Sequence, residues 1–187
     1  MGVFFKDLNI IPQFKVDKDD TIYVGSTNLL KILVFDKDGN FLREFGKEGT
    51  PPDWFDAIGP ICVDDDGNIY VSDKNEDGGA LKFDNDGNFI IKIGKICEGE
   101  NITMQAGYLA VNSKLHKLYI ADDPNGQVDV YDSVTGNFLY EFGGHGEGPD
   151  KWGDDCEGIA IGPWDLVFAV DENGGTIKVF REEYEYF

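Results

Sequence analysis

Carboxylates supply most of the chemistry this chain has to offer. Three segments, Asp36-Lys37-Asp38-Gly39-Asn40, Asp64-Asp65-Asp66-Gly67-Asn68 and Asp84-Asn85-Asp86-Gly87-Asn88, have the opening spacing of a calcium-binding EF-hand loop. None has the distal bidentate Glu or the flanking helices that complete such a loop. Asp and Asn at these places accept local backbone hydrogen bonds and tolerate turn geometry, so the segments are read as turns. A second set, Asp73, Asp122 and Asp171, recurs at steps of 49 residues, with Ser26 at the matching place near the start. Their expected work is to tie the following loop by side-chain to backbone bonds. The alternative is a ligand-facing role on one end of the scaffold. The third feature is Asp154-Asp155-Cys156-Glu157, whose carboxylates are suited to a cation or to proton abstraction. Asp73, Asp122, Asp154, Asp155, Glu157 and Asp171 are therefore the candidate metal ligands, with calcium in a structural role as the ion. No residue is assigned a catalytic role except Glu157, and that one only in the alternative reading given below.

The elements that must position these groups follow from internal repetition. Ile22-Tyr23-Val24 returns as Ile69-Tyr70-Val71, as Leu118-Tyr119-Ile120 and as Val167-Phe168-Ala169-Val170, with the aromatic residues 47, 49 and 49 residues apart. Phe35, Phe83, Tyr131 and Phe180 keep the same beat at 48, 48 and 49. A fixed period of this size marks a repeat architecture whose units stack on one another. Within a period, Asp-Gly and Asn-Gly pairs separate short β-branched and aromatic runs, which is the signature of hairpins. Each period of about 48 residues thus holds four antiparallel strands, a to d. Runs such as Phe89-Ile90-Ile91 are apolar at consecutive positions, where a sheet with one wet face would alternate. Sheets covered on both faces fit that pattern, as the blades of a β-propeller are. The expected fold is all-β: one propeller domain over 1–187, with four four-stranded antiparallel blades at about 11–46, 57–94, 106–143 and 157–187.

Several chemistries are disfavoured. His116 falls in an a–b turn and His145 in a d–a loop, at opposite ends of a blade, so the two histidines do not converge on a zinc ion. No nucleophile elbow or phosphate-cradling loop is present. A formal net charge of −20 repels phosphate backbones, so nucleic acid is not an expected partner. No apolar run is long enough to span a membrane. Cys62 lies within a strand as a small buried hydrophobe. Cys97 and Cys156 occupy equivalent loops, where a bridge is conceivable but no spacing motif requires one. Met1-Gly2-Val3-Phe4-Phe5-Lys6 lacks the apolar core of a signal peptide. The compartment stays open between an intracellular protein and a secreted one whose leader has been removed, with the lean toward the second.

The repeat resembles the NHL repeat of six-bladed β-propellers. The residues that carry the resemblance are Val63-Asp64-Asp65-Asp66-Gly67-Asn68-Ile69-Tyr70-Val71-Ser72-Asp73 and Leu33 through Gly46. The glycine-rich run Phe142-Gly143-Gly144-His145-Gly146-Glu147-Gly148-Pro149-Asp150-Lys151-Trp152 adds the approach to a new blade. That family includes binding scaffolds, extracellular sensor modules, metal-dependent lyases and related calcium-dependent lactonases. The resemblance therefore implies a fold rather than an activity. This chain departs from it in having four repeats, and in lacking the Asp-x-Asp-Gly-Asn turn between strands a and b of the third and fourth.

The fourth repeat runs through Thr176-Ile177-Lys178-Val179-Phe180 without a following outer strand, while Gly2 to Leu8 is an apolar stretch with no place in the first repeat. Residues 1–10 are accordingly expected to supply a closing strand, within the chain or between chains. An open arc would expose two apolar blade faces, more than a soluble monomer ordinarily carries. The leading functional expectation is a non-enzymatic binding or self-assembly module with protein partners or further copies of itself, in an oligomer or filament. The alternative is a calcium-dependent lactonase or phosphoesterase, in which Glu157 near the central channel would act.

Overall fold

The computed structural model describes residues 13–46, 55, 57–73, 79–94, 106–122, 126–146, 148, 150–152, 156–171 and 174–181. The expected closing strand at 1–10 and the carboxylates of Asp154 and Asp155 lie outside these, as does Cys97.

The first sheet is a meander of β1 (Gln13–Val16), β2 (Ile22–Ser26), β3 (Lys31–Phe35) and β4 (Phe41–Phe45). The second is β5 (Ile58–Val63), β6 (Ile69–Asp73), β7 (Ala80–Phe83) and β8 (Phe89–Ile93). The third is β9 (Ala106–Asn112), β10 (Lys117–Asp122), β11 (Gln127–Asp132) and β12 (Phe138–Gly143). The fourth has three described strands, β13 (Cys156–Ile161), β14 (Leu166–Asp171) and β15 (Thr176–Arg181). All pairings are antiparallel between neighbours in sequence, and a three-residue 3-10 turn at Pro163–Asp165 is the only helical element among the described residues.

The acidic segments form the turns. Asp36 Oδ1 accepts the N–H groups of Asp38 (2.9 Å) and Asn40 (2.8 Å), and its Oδ2 accepts the Asn40 side-chain amide (2.9 Å). Asp64 and Asp84 repeat this arrangement. The glycine that follows takes positive φ in each, at 81°, 82° and 88°, which is what a Gly at that place is for. Asp64 does one thing more: the Tyr70 hydroxyl donates to its Oδ2 at 2.9 Å, binding the turn to the next strand.

Side chains of both sheet faces are buried because the sheets stack. Tyr23, Ile32 and Val34 of the first sheet meet Ile69, Val71, Leu81 and Phe83 of the second. Tyr70, Ala80 and Ile93 meet Leu109, Leu118, Ile120 and Tyr131 of the third. Tyr119, Ala121, Val128 and Val130 meet Val167 and Ala169 of the fourth. Contact between sheets is made through the a strands, β1 on β5, β5 on β9 and β9 on β13. Among the described residues no comparable contact joins the first sheet to the fourth.

Two d–a loops are held alike. From Gly46 to Phe55 and from Gly143 to Trp152 is nine residues, and in each case the aromatic ring packs over the positive-φ glycine. Trp152 is fully buried against Phe142 and stacked on Phe180, 5.6 Å between ring centroids. This loop carries the chain from the third sheet into the fourth.

Candidate functional site: carboxylates in the junctions and an open sheet face

Asp73, Asp122 and Asp171 end the b strands β6, β10 and β14, and all three are buried. They lie in three successive sheets rather than around one point. Asp73 Oδ1 accepts the Ala57 N–H at 3.4 Å, and Asp171 Oδ1 accepts the Gly174 N–H at 2.8 Å. Those are side-chain to backbone ties, one to the strand-a approach and one to the following turn. Asp171 also faces Lys178, with Nζ 3.5 Å from Oδ2. Asp122 shares its region with Asp129, whose carboxyl burial pushes up to about 7; Gln127 opposes that shift through a hydrogen bond, and the Asp122 and Glu141 charges add to it.

Glu157 is half-buried in β13 at a break in register, since Cys156 pairs with Asp171 but Gly158 pairs with Val170. It is the extra residue of a β-bulge, a place where strands re-aim side chains. The same irregularity occurs in β5 at Gly59 and in β9 at Gly107, so the bulge is part of the repeat and the carboxylate is the peculiarity. Among the described residues, no three His, Cys, Asp or Glu side chains come together as a metal-holding group. The described carboxylates alone thus do not gather the six or more oxygens that a calcium ion takes. His116 lies in the β9–β10 turn and His145 beyond β12, at opposite ends of the third sheet.

The second sheet turns a cation inward. Lys82 Nζ donates to the Ser133 carbonyl at 2.9 Å and lies 5.2 Å from the centroid of the Tyr70 ring. Burial pushes its pKa down. Burial likewise pushes the Cys62 thiol up, consistent with an inert structural cysteine. Cys156 is also buried.

The fourth sheet presents a different kind of surface. In β14, Val167, Ala169 and Asp171 point into the third junction, leaving Phe168 and Val170 on the opposite face. In β15, Lys178 and Phe180 turn inward, and Ile177 and Val179 turn out. Phe168 pairs with Val179 and Val170 with Ile177, so the four form one block across two strands. Ile177 is 66% exposed, Val179 52% and Val170 39%. Their equivalents one period earlier, Tyr119, Ala121, Val128 and Val130, are all fully buried under the fourth sheet. At the a–b end of the same sheet, Trp164 is 82% exposed and held at positive φ, while Asp165 beside it accepts from the Asn112 amide at 3.2 Å and pairs with Lys114. Sequence reasoning weighed against an open arc and named none of these residues; the step of 49 from each third-sheet residue would have found all four.

No family model matches the chain, and no curated protein does. Solved structures do. A catalytically inactive virginiamycin B lyase from Staphylococcus aureus, with quinupristin, matches with a TM-score of 0.64 at 16% identity, over 93% of this chain and 56% of that one. U3-55K matches with a TM-score of 0.63 at 15% identity, over 92% of this chain and 53% of that one. A protein of unknown function from Bacteroides caccae matches with a TM-score of 0.63 at 10% identity, over 86% and 56%. With the four stacked meanders, these likenesses define the class: the fold is a β-propeller. The chain spans about half the length of the structures it matches.

Proposed function

We propose that this chain is a non-enzymatic, NHL-like propeller that works as a protein-binding or assembly module. The observation that carries the reading is the apolar block of Phe168, Val170, Ile177 and Val179, open on a sheet whose counterparts are covered. A contiguous apolar face of this kind is what a protein partner covers. Fully covering an exposed side chain of this size stabilises by about 1.5–3 kcal/mol, and these, from half-buried to 66% exposed, each contribute a fraction of that to association. The carboxylates support the same reading from the other side. Asp73 and Asp171 are engaged with loop backbone, and the acidic turns with their own N–H groups. Calcium, in this reading, is not needed for binding.

The test is turnover. Lactone and phosphate-ester substrates, with and without Ca2+, are expected to give no rate above background for the intact chain. Turnover that is lost in Glu157→Gln would contradict the non-enzymatic reading and favour the calcium-dependent hydrolase.

A further inference from the structure

We infer that the outer rim of the propeller, at Leu42, Ile90 and Leu139, is a further binding surface, and that it takes a cationic polypeptide bearing apolar side chains. This goes beyond the fourth-sheet face, because it uses the d strands of the other three sheets.

The rim positions come from a bulge that recurs in every described d strand. In β4, Phe41 pairs with Phe35 and Arg43 with Val34, which leaves Leu42 as the extra residue. In β8, Phe89 pairs with Phe83 and Ile91 with Lys82, which leaves Ile90. In β12, Phe138 pairs with Tyr131 and Tyr140 with Val130, which leaves Leu139. The residues on either side have work inside the fold. Phe41, Phe89 and Phe138 lie edge-on against the aromatic ring of their own c strand. Arg43 reaches the carbonyl of Asn85 in the second sheet, and Ile91 and Tyr140 pack into the junctions that follow them. The residue between belongs to none of the three junction clusters.

That residue is aliphatic each time, and exposed: Leu42 by 51%, Ile90 by 46% and Leu139 by 44%. A bulge in an edge strand deters pairing with another strand, and a polar residue would serve that purpose as well. One exposed aliphatic side chain is ordinary, whereas the same position filled alike in three successive sheets makes a row. Its exposure does not depend on how many sheets the ring has. Contact between sheets runs through the a strands, and the d strands lie at the opposite edge of each sheet. Further sheets would stack on the faces of the arc and leave that edge open.

Size and charge set the occupant. Sheets stack about 10 Å apart, so the row spans about 20 Å, which an extended polypeptide of about six residues covers and a small molecule does not. The segments that carry the bulges, 36–45, 84–93 and 132–143, hold three, two and two carboxylates against two, one and no cations. Asp38 and Asp86 of the preceding turns are exposed. With a chain charge of −20 behind them, they attract Lys and Arg and repel phosphate.

The test uses the full chain and synthetic peptides. In extended form, Leu-Lys-Ser repeats set one Leu about every 10 Å. This peptide is expected to bind the wild-type chain, and to bind the triple variant Leu42→Ser, Ile90→Ser, Leu139→Ser about tenfold less tightly. The variant keeps the net charge, so general attraction to an acidic protein is the same in both. Ile177→Glu, on the fourth-sheet face, is expected to leave the rim affinity within a small factor of wild type. Equal affinity for the triple variant overturns the inference, as does an absence of binding to the wild-type chain at millimolar peptide. Leu-Glu-Ser repeats that bind as tightly overturn the cationic partner, and Ser-Lys-Ser repeats that do so overturn the apolar row. A photo-crosslinking Leu analogue in the peptide gives a readout on the wild-type chain that needs no variant. Adducts are expected on 41–44, 89–92 and 138–141, and adducts confined to 166–181 would overturn the rim while leaving the fourth-sheet reading in place.

Discussion

Lys178 occupies in β15 the place that Asp129 occupies in β11, 49 residues earlier, just as Asp171 answers to Asp122. In the junction between the third and fourth sheets, the pair is Lys178 with Asp171, 3.5 Å apart and mutually neutralising. One junction earlier, the corresponding pair is two buried carboxylates, and burial first, then the charge of Asp122, holds Asp129 at about 7. A carboxyl whose folded pKa is raised stabilises the native state fully below its unfolded value, and that contribution is lost as pH rises through the folded value. Stability is therefore expected to decline between about pH 4 and pH 7, by an amount on the order of 4 kcal/mol for a displacement of this size. Asp129→Leu, which installs the residue that the second sheet has there as Leu81, should flatten the decline. Urea midpoints at the two ends of that window, for wild type and variant, check it.

The acid side has the opposite sign. Backbone and side-chain hydrogen bonds hold Asp36 and Asp84 below the ordinary carboxylate range, with the Asn40 and Asn88 amides first among them, and the Thr135 N–H does the same for Asp132. A depressed folded pKa gives stability that is present above the unfolded value and lost as pH falls through the folded one. Together with Asp129, this places the stability maximum near pH 4–5, on the order of the unfolded carboxylate value. Melting temperature measured against pH should peak there, and Asp84→Asn should weaken the fall on the acid side.

Gly143 cannot be replaced cheaply. A Cβ there would stand 1.6 Å from Trp152 Cζ3, at a backbone φ of 97°. Left-handed backbone and forced overpacking together set the expected loss for Gly143→Ala at about 2–5 kcal/mol. Because Trp152 is the ring that seats the loop between the third and fourth sheets, its fluorescence should shift toward a wetter environment in the variant. An unchanged emission and an unchanged melting temperature would contradict this account of the loop.

The architecture was legible because repetition writes it several times over. Val167 and Ala169 could be assigned to a strand on the strength of Leu118 and Ile120 alone, and the Asp-x-Asp-Gly-Asn turns fixed the hairpins between. The same repetition hid the candidate surface. Phe168 reads like Tyr119 and Tyr70, so nothing in its own residue type says that no described sheet lies over its face. The bulge at Glu157 was invisible for a related reason: its counterparts are Gly59 and Gly107, and only the pairing of Cys156 with Asp171 and of Gly158 with Val170 reveals the extra residue. Asp129 was passed over because a lone Asp in a strand looks solvent-facing until the neighbouring sheet is laid over it. Carboxylates drew attention by their spacing, whereas the surface that distinguishes this chain is built from ordinary valine, isoleucine and phenylalanine.

The central claim is that the open face at Ile177 and Val179 is covered by protein. Solution scattering of the intact wild-type chain, over a dilution series at moderate salt, tests it most directly. The account predicts forward scattering of more than one chain at the concentrated end, with a return toward one chain on dilution. A single-chain mass throughout the series would contradict it.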